Sequence, residues 1–434
     1  MDPTLLSILV FALLFVLLAA GMPIGFAMGL SAFTGMALLI DLNAALALLG
    51  QTAYETGITY NLSVVPMFLL MGFIAGGAGL SEGLYRACNA WLGHRRGGLA
   101  LATIGACGAF AAICGSSLAT AATMCQIALP EMRRHGYDDR LATGAIAAGG
   151  TIGILIPPSV LMVLYGLLTE TSISRLFLAG MLPGLLTVVV FMITISITMR
   201  INPALGPRGP RVALRQRVTV LRDVWGTVAL FLLVIGGIYT GIFSPTEAAS
   251  VGAIGALALA VINRRFSRGL LLGSLIDTVK TTAMIFTILI GAILLNNFLI
   301  LAAIPNLVSD WITTLPLGPT AILVVILLLY VVLGCALDSL AMVLLTIPIF
   351  FPIIKELGYD PVWFGIIVVM VVELGLITPP IGMNVFVIKG IAGNVPLERI
   401  FAGVAPFVVA QVVLITILVI FPEIALWLPS TMGR

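Results

Sequence analysis

The sequence predicts an all-α polytopic membrane protein built from two inverted-topology repeats, each with a re-entrant hairpin and a broken helix. Three observations lead there: an apolar composition, a one-sided distribution of basic residues, and an ungapped match between the two halves of the chain. Of 434 residues, 61% are hydrophobic and 9% are charged, whereas roughly a quarter of a soluble domain is charged. A soluble globular protein is excluded.

A bilayer-crossing helix needs roughly 20 apolar residues. Apolar runs place full crossings near 5–20, 23–40, 62–80, 142–168, 176–199, 225–242, 246–263, 281–301, 361–388 and 400–422. The stretches 97–130 and 317–354 are each interrupted midway by small and polar residues, and read as hairpins that enter and leave on one side. Basic residues collect in cytoplasmic loops, so the connection holding Arg200, Arg208, Arg211, Arg215, Arg217 and Arg222 is expected inside. Counting crossings from that anchor puts every one of the 21 basic residues inside except Arg175, Lys355 and Arg434. Asp41 and Glu55, and Asp310 with Trp311, then fall in outer loops without basic residues. The N-terminus shows no basic stretch and no cleavage pattern, so no cleaved signal peptide is expected. The five cysteines lack metal or redox spacing and read as small packing residues.

Residues 115–158 match residues 337–380 at one constant offset. Ser117 pairs with Ser339, Pro130 with Pro352, Gly136-Tyr137-Asp138 with Gly358-Tyr359-Asp360, Gly153 with Gly375, and Pro157-Pro158 with Pro379-Pro380. The crossing count runs 62–80 inward and its counterpart 281–301 outward, so the repeats are inverted. The chain accordingly divides into N-terminal helices and an outer loop (1–61), a first repeat (62–199), an Arg-rich loop with linking helices (200–280) and a second repeat (281–428).

Each repeat carries a hairpin tip, Cys114-Gly115-Ser116-Ser117 or Ala336-Leu337-Asp338-Ser339, and a Pro-Pro helix break. Proline has no N–H and disfavours helical geometry before it, so carbonyls just upstream lose their intrahelical partners. At bilayer depth such carbonyls need a cation, water or a protein donor. Two equivalent cation sites follow, one per repeat, with half-helix N-termini directing positive dipole ends to the same region. That suits an anionic substrate. Asp338 combines two readings, a costly and therefore functional intramembrane carboxylate and a helix N-cap. Glu373 is read either as a site carboxylate or as a partner for a neighbouring helix dipole. Ser244-Pro245-Thr246-Glu247 fits a helix-start box.

Enzyme readings fare badly. No nucleotide-binding fingerprint is present. The only two histidines, His94 and His135, lie in basic loops away from Ser116 and Ser117, where a serine hydrolase would need one.

The tip Gly115-Ser116-Ser117 with its following Ala-Thr-Ala-Ala, Ile156-Pro157-Pro158-Ser159, Gly241-Ile242-Phe243-Ser244-Pro245-Thr246-Glu247 and Gly375-Leu376-Ile377-Thr378-Pro379-Pro380-Ile381-Gly382-Met383-Asn384 together resemble the large membrane subunit, DctM type, of tripartite ATP-independent periplasmic (TRAP) transporters. The resemblance covers nearly the whole chain. It implies a multi-pass inner-membrane importer that co-transports Na⁺, has no organic cofactor or nucleic-acid partner, and moves by an elevator mechanism. Its implied partners, besides the lipid bilayer, are a separate small four-helix subunit (DctQ type) and a periplasmic substrate-binding protein (DctP type). By matching motif, Ser116, Ser117, Gly150, Gly153 and Pro157 would hold one Na⁺, and Asp338, Ser339, Gly375, Thr378 and Pro379 the other. Ser116, Ser117, Thr151, Ser159, Asp338, Ser339 and Asn384 are the expected contacts of an organic acid such as a C4-dicarboxylate or sugar acid. The competing readings are a self-sufficient Na⁺-coupled anion transporter of related elevator fold, and a channel.

Overall fold

Nine of the described helices start where a Ser or Asp side chain accepts from a free N–H group of the first turn. The computed structural model describes residues 3–304, 307, 318–335 and 337–432, so Asp310, Trp311, Ala336 and Arg434 lie outside the described residues. In chain order the helices are α1 (Pro3–Ala19), α2 (Ile24–Leu39), α3 (Leu42–Ile58), α4 (Val64–Gly77), α5 (Leu80–Leu92), α6 (Gly98–Cys114), α7 (Ser117–Arg134), α8 (Asp139–Leu155), α9 (Val160–Leu168) and α10 (Ile173–Ile201). They continue with α11 (Leu214–Val220), α12 (Trp225–Tyr239), α13 (Pro245–Ile262), α14 (Arg268–Leu301), α15 (Pro319–Gly334), α16 (Ser339–Glu356), α17 (Pro361–Gly375), α18 (Met383–Ala392), α19 (Leu397–Ile420) and α20 (Glu423–Ser430).

The matched positions do matched work. Asp138 caps α8 by accepting from Arg140 N at 2.7 Å, and Asp360 caps α17 by accepting from Val362 N at 2.8 Å. Gly136 and Gly358 ahead of them turn through φ of 73° and 80°, a region open to glycine at no steric cost. The expected helix-start box is present at α13, where Ser244 Oγ accepts from Glu247 N and Glu247 Oε2 accepts from Ser244 N.

The two broken helices, α8–α9 and α17–α18, run antiparallel. Tyr165 near the end of α9 donates to the carbonyl of Pro361 at the start of α17 (2.6 Å). At the opposite face Arg133, which pairs with Asp139 at the start of α8, donates to the carbonyl of Ala392 at the end of α18 (3.4 Å). Equivalent ends of the two repeats therefore lie on opposite faces, and the inversion expected from the basic residues holds. The same residues collect in one layer: Arg399 pairs with Asp138 (2.9 Å), Arg86 with Asp223 (3.4 Å) and Arg265 with Glu82 (3.9 Å). The Arg-rich loop straps this layer, with Gly97 N donating to Gly206 O and Asp138 N to Leu205 O. Maleimide labelling of Arg134→Cys and Lys355→Cys in closed vesicles is expected to proceed from opposite sides; labelling of both from one side would overturn the inversion.

Among the described residues six single helices are long and apolar enough to cross a bilayer, and two bent pairs raise this to eight. Of the ten crossings expected, those at α1 and α2 are 17 and 16 residues long. The segment after Asp41, expected as an outer loop, is instead the helix α3, which Asp41 caps by accepting from Ala44 N (2.9 Å). Only Ala45, Thr52 and Thr56 of it are buried, so its apolar periodicity was too weak to read. Helix α5 was likewise missed behind its polar residues; it is amphipathic and packs Leu84, Tyr85 and Ala87 inward. The 281–301 crossing is the end of a 34-residue helix, α14, whose length of about 51 Å exceeds the roughly 30 Å hydrocarbon core.

Two apolar clusters divide the molecule. One joins α1, α2 and α4 to α14–α17, and takes in α9; the other joins α5–α8 to α18 and α19. Each broken helix is thus split between clusters, so the repeats interlock. Helix α8 crosses α19 closely, where the backbone of Gly144 meets that of Gly403 with no room for a side chain.

Candidate functional site

Hairpin α6–α7 turns at Gly115, whose φ of 63° is left-handed. Ser116 follows as the cap of α7, accepting from Ala119 N (3.4 Å), while its own carbonyl accepts from Thr120 Oγ1 (2.7 Å). The tip is pressed onto the first helix break. A methyl group at Gly115 would stand 2.6 Å from the Pro158 carbonyl oxygen, and one at Gly153 would stand 2.6 Å from the Ser116 carbonyl oxygen. Ser116, Ser117, Gly150, Gly153 and the Pro157-Pro158 turn are therefore gathered at one place. Pro157 and Pro158 are buried.

The second repeat repeats the plan with differences. Asp338 caps α16 with Oδ1, accepting from Leu340 N (2.9 Å) and Ala341 N (3.1 Å), so its N-cap reading is realised. The hairpin meets its break through paired glycines, since a methyl group on Gly375 would lie 2.6 Å from Gly334 Cα. Thr378 Oγ1 donates to the Leu374 carbonyl (2.6 Å). Pro379 and Pro380 are exposed, unlike their counterparts.

A buried tie joins the two repeats. Ser117 Oγ lies 2.9 Å from the Gly150 carbonyl oxygen and 2.6 Å from Glu373 Oε2, and accepts from Asn384 Nδ2 at 3.3 Å. Asn384 Nδ2 also donates to the Ala147 carbonyl (3.4 Å). Glu373 and Asn384 are 1% and 0% exposed, and Glu373 Oε1 and Asn384 Oδ1 have no hydrogen-bond partner among the described residues. Polar atoms held dry at such a cost mark function more often than stability. Glu373 occupies the register position of Thr151, which turns back on its own helix and donates to the Ala148 carbonyl (2.6 Å). One repeat reaches across and the other does not.

Both tips face a cavity of about 780 Å³. Ser116, Ser117, Asp338 and Ser339 line it, together with Phe73 and Phe110 on one wall and Ser274 and Asp277 of α14 on another. Its lining contains no Lys, Arg or His. Of the other expected substrate contacts, Thr151 and Asn384 lie behind the tips, and Ser159 is buried as the cap of α9, accepting from Met162 N (3.3 Å). Asp277 had no sequence signal: it sits within 200–280, read as the Arg-rich loop with its linking helices, and in the structure belongs to α14.

Residues 11–424 match the family model described as the tripartite ATP-independent periplasmic transporter, DctM component. The chain belongs to the DctM family. It is 39% identical over 385 residues to a C4-dicarboxylate TRAP transporter large permease protein of Pseudomonas aeruginosa, covering 88% of each. It is 33% identical over 421 residues to the sialic acid TRAP transporter large permease protein of Vibrio cholerae, covering 95% of this chain and 96% of the relative. The solved YdaH transporter of Alcanivorax borkumensis superposes with a TM-score of 0.62 at 16% identity over 91% of each chain, a likeness of fold. As a DctM-family chain, it is a large permease subunit, and the paired tips and breaks belong to a transporter.

Proposed function

We propose that this chain is the inner-membrane permease of a Na⁺-driven importer of a carboxylate-bearing organic acid, a C4-dicarboxylate, a sugar acid or similar. The observation that carries this reading is the cavity itself. Two hairpin tips with their hydroxyls, Asp277 and Asp338 face it, and no basic side chain does. An acid entering there has no protein cation to meet, and one elementary charge moved across 100 mV is worth about 2.3 kcal/mol. Bound Na⁺ at the two tip-and-break sites supplies the missing charge, held by carbonyl and hydroxyl oxygens at Gly150, Gly153 and Pro157 with Ser116 and Ser117, and at Gly375, Thr378 and Pro379 with Asp338 and Ser339. The relatives named for C4-dicarboxylate and sialic acid support a carboxylate cargo.

Family membership further supports a small DctQ-type membrane subunit and a DctP-type periplasmic protein that delivers the acid. The hairpins and broken helices form the moving body of an elevator, and the remaining helices its scaffold. Uptake into proteoliposomes at fixed membrane potential is expected to collapse when external Na⁺ is replaced by choline; persistence would reject Na⁺ coupling. Uptake that proceeds at full rate without the binding protein would favour a self-sufficient transporter instead.

A further inference from the structure

Between α10 and α12 the chain crosses the cytoplasmic layer as a loop and the short helix α11. One side of this segment rests on α5, where Val212, Gln216, Thr219 and Val220 adjoin Arg86 and Asn89. The other side carries Leu214, Val218, Leu221 and Trp225, spaced four, three and four residues apart. That spacing aligns Leu214, Val218 and Leu221 along one face of the short helical segment, and Trp225 follows just past the bend into α12. They are 69%, 57%, 42% and 57% exposed.

Two observations say what covers this stripe. The first is continuity with the bilayer. Trp225 is the first residue of α12, and residues 214–223 and 225–239 form a bent pair with an angle of 52° between them. This is the geometry of a helix lying along a membrane surface that turns to enter it. The second is charge. Arg208, Arg211, Arg215 and Arg222 make no ion pair with any described carboxylate, and the one acid of the segment, Asp223, is taken by Arg86. Arg215 and Arg222 fall on one flank of the stripe and Arg217 on the other at helical spacing. The positive field reaches the neighbouring loop, where desolvation and the guanidiniums of Arg217, Arg95 and Arg211 hold the His94 imidazole below its ordinary range.

We infer that residues 208–225 form a binding site for anionic phospholipid of the inner leaflet. Leu214, Val218, Leu221 and Trp225 lie among the acyl chains, and Arg211, Arg215 and Arg222 hold headgroup phosphates. A basic amphipathic segment binds at the headgroup boundary by buried apolar area plus attraction to anionic lipid, and guanidinium pairs with phosphate through two parallel hydrogen bonds. A soluble acidic protein would meet the arginines and leave the stripe in water; a zwitterionic lipid would cover the stripe and leave the arginines uncompensated.

The test places a bimane fluorophore on Val218→Cys, and separately on Leu214→Cys, in the full chain. The protein is reconstituted in phosphatidylcholine vesicles containing equal fractions of brominated phosphatidylglycerol or brominated phosphatidylcholine. The native cysteines are buried or half-buried, and unsubstituted protein labelled in parallel gives the background. Brominated phosphatidylglycerol is expected to quench as though enriched about fivefold or more at the helix. In Arg211→Gln/Arg215→Gln/Arg222→Gln the enrichment is expected to vanish while quenching by phosphatidylcholine stays. No quenching by either lipid at both positions overturns the inference, as does equal quenching by the two lipids in the unsubstituted-arginine background.

Discussion

Glu373→Ala is expected to raise the Na⁺ concentration for half-maximal uptake by about tenfold to a hundredfold, while Glu373→Gln stays within a few-fold of the parent protein. Glu373 holds Ser117 at 2.6 Å, and the Ser117 hydroxyl lies 2.9 Å from the Gly150 carbonyl oxygen in the first repeat. Removing one member of a buried hydrogen-bonded group leaves the others unpaired at a cost of about 1–3 kcal/mol, and about 1.4 kcal/mol is a factor of ten. Glutamine keeps an oxygen and adds a donor in nearly the same volume, so it preserves the contact with Ser117. The measurement is initial uptake against Na⁺ for both variants at equal reconstituted amounts. If alanine and glutamine shift the curve alike, the tie acts through charge and not through holding Ser117; if neither shifts it, Glu373 serves only packing.

Gly115→Ala is expected to abolish more than nine-tenths of uptake, and Gly136→Ala to leave at least half. Both glycines have left-handed φ, 63° and 73°, so both substitutions carry the same penalty of roughly 1–2 kcal/mol. They differ in their surroundings. A methyl group at Gly136 meets nothing within 4 Å, whereas one at Gly115 runs into the Pro158 carbonyl. Forcing atoms into a packed site costs about 1–3 kcal/mol more, and here the displaced partner is backbone beside the first helix break. Comparable losses in the two variants, measured alongside thermal unfolding in detergent, would show that backbone strain and not tip docking sets the effect.

The repeat was legible because its signals are local and doubled. Gly-Tyr-Asp before α8 and α17 encodes a left-handed turn and a cap, and Pro-Pro encodes a break, without reference to anything distant. The inversion was legible because basic residues sort by side. The tie among Ser117, Glu373 and Asn384 was not, since its members are separated by 256 and 267 residues and no periodicity links them. One clue was present: in the ungapped register Thr151 stands opposite Glu373, so a carboxylate occurs in one copy of a deeply apolar helix and a hydroxyl in the other. Helix α3 escaped because a helix that buries three small or polar side chains has no apolar stripe to read. Asp277 escaped because a cavity wall formed by the projecting start of a long helix has no local signature at all.

The two Pro-Pro turns occupy unlike surroundings, one enclosed and the other open, although a pseudo-twofold axis relates the segments that carry them. Inverted halves make room for a second conformer at no extra cost in sequence, one in which each half adopts the arrangement now seen in the other. In that conformer the 379–380 turn is sealed and the 157–158 turn is bared, and because the halves are upside down with respect to each other, the opening has changed sides of the membrane. The asymmetry at these prolines is thus the feature that an exchange of the two halves' arrangements would reverse.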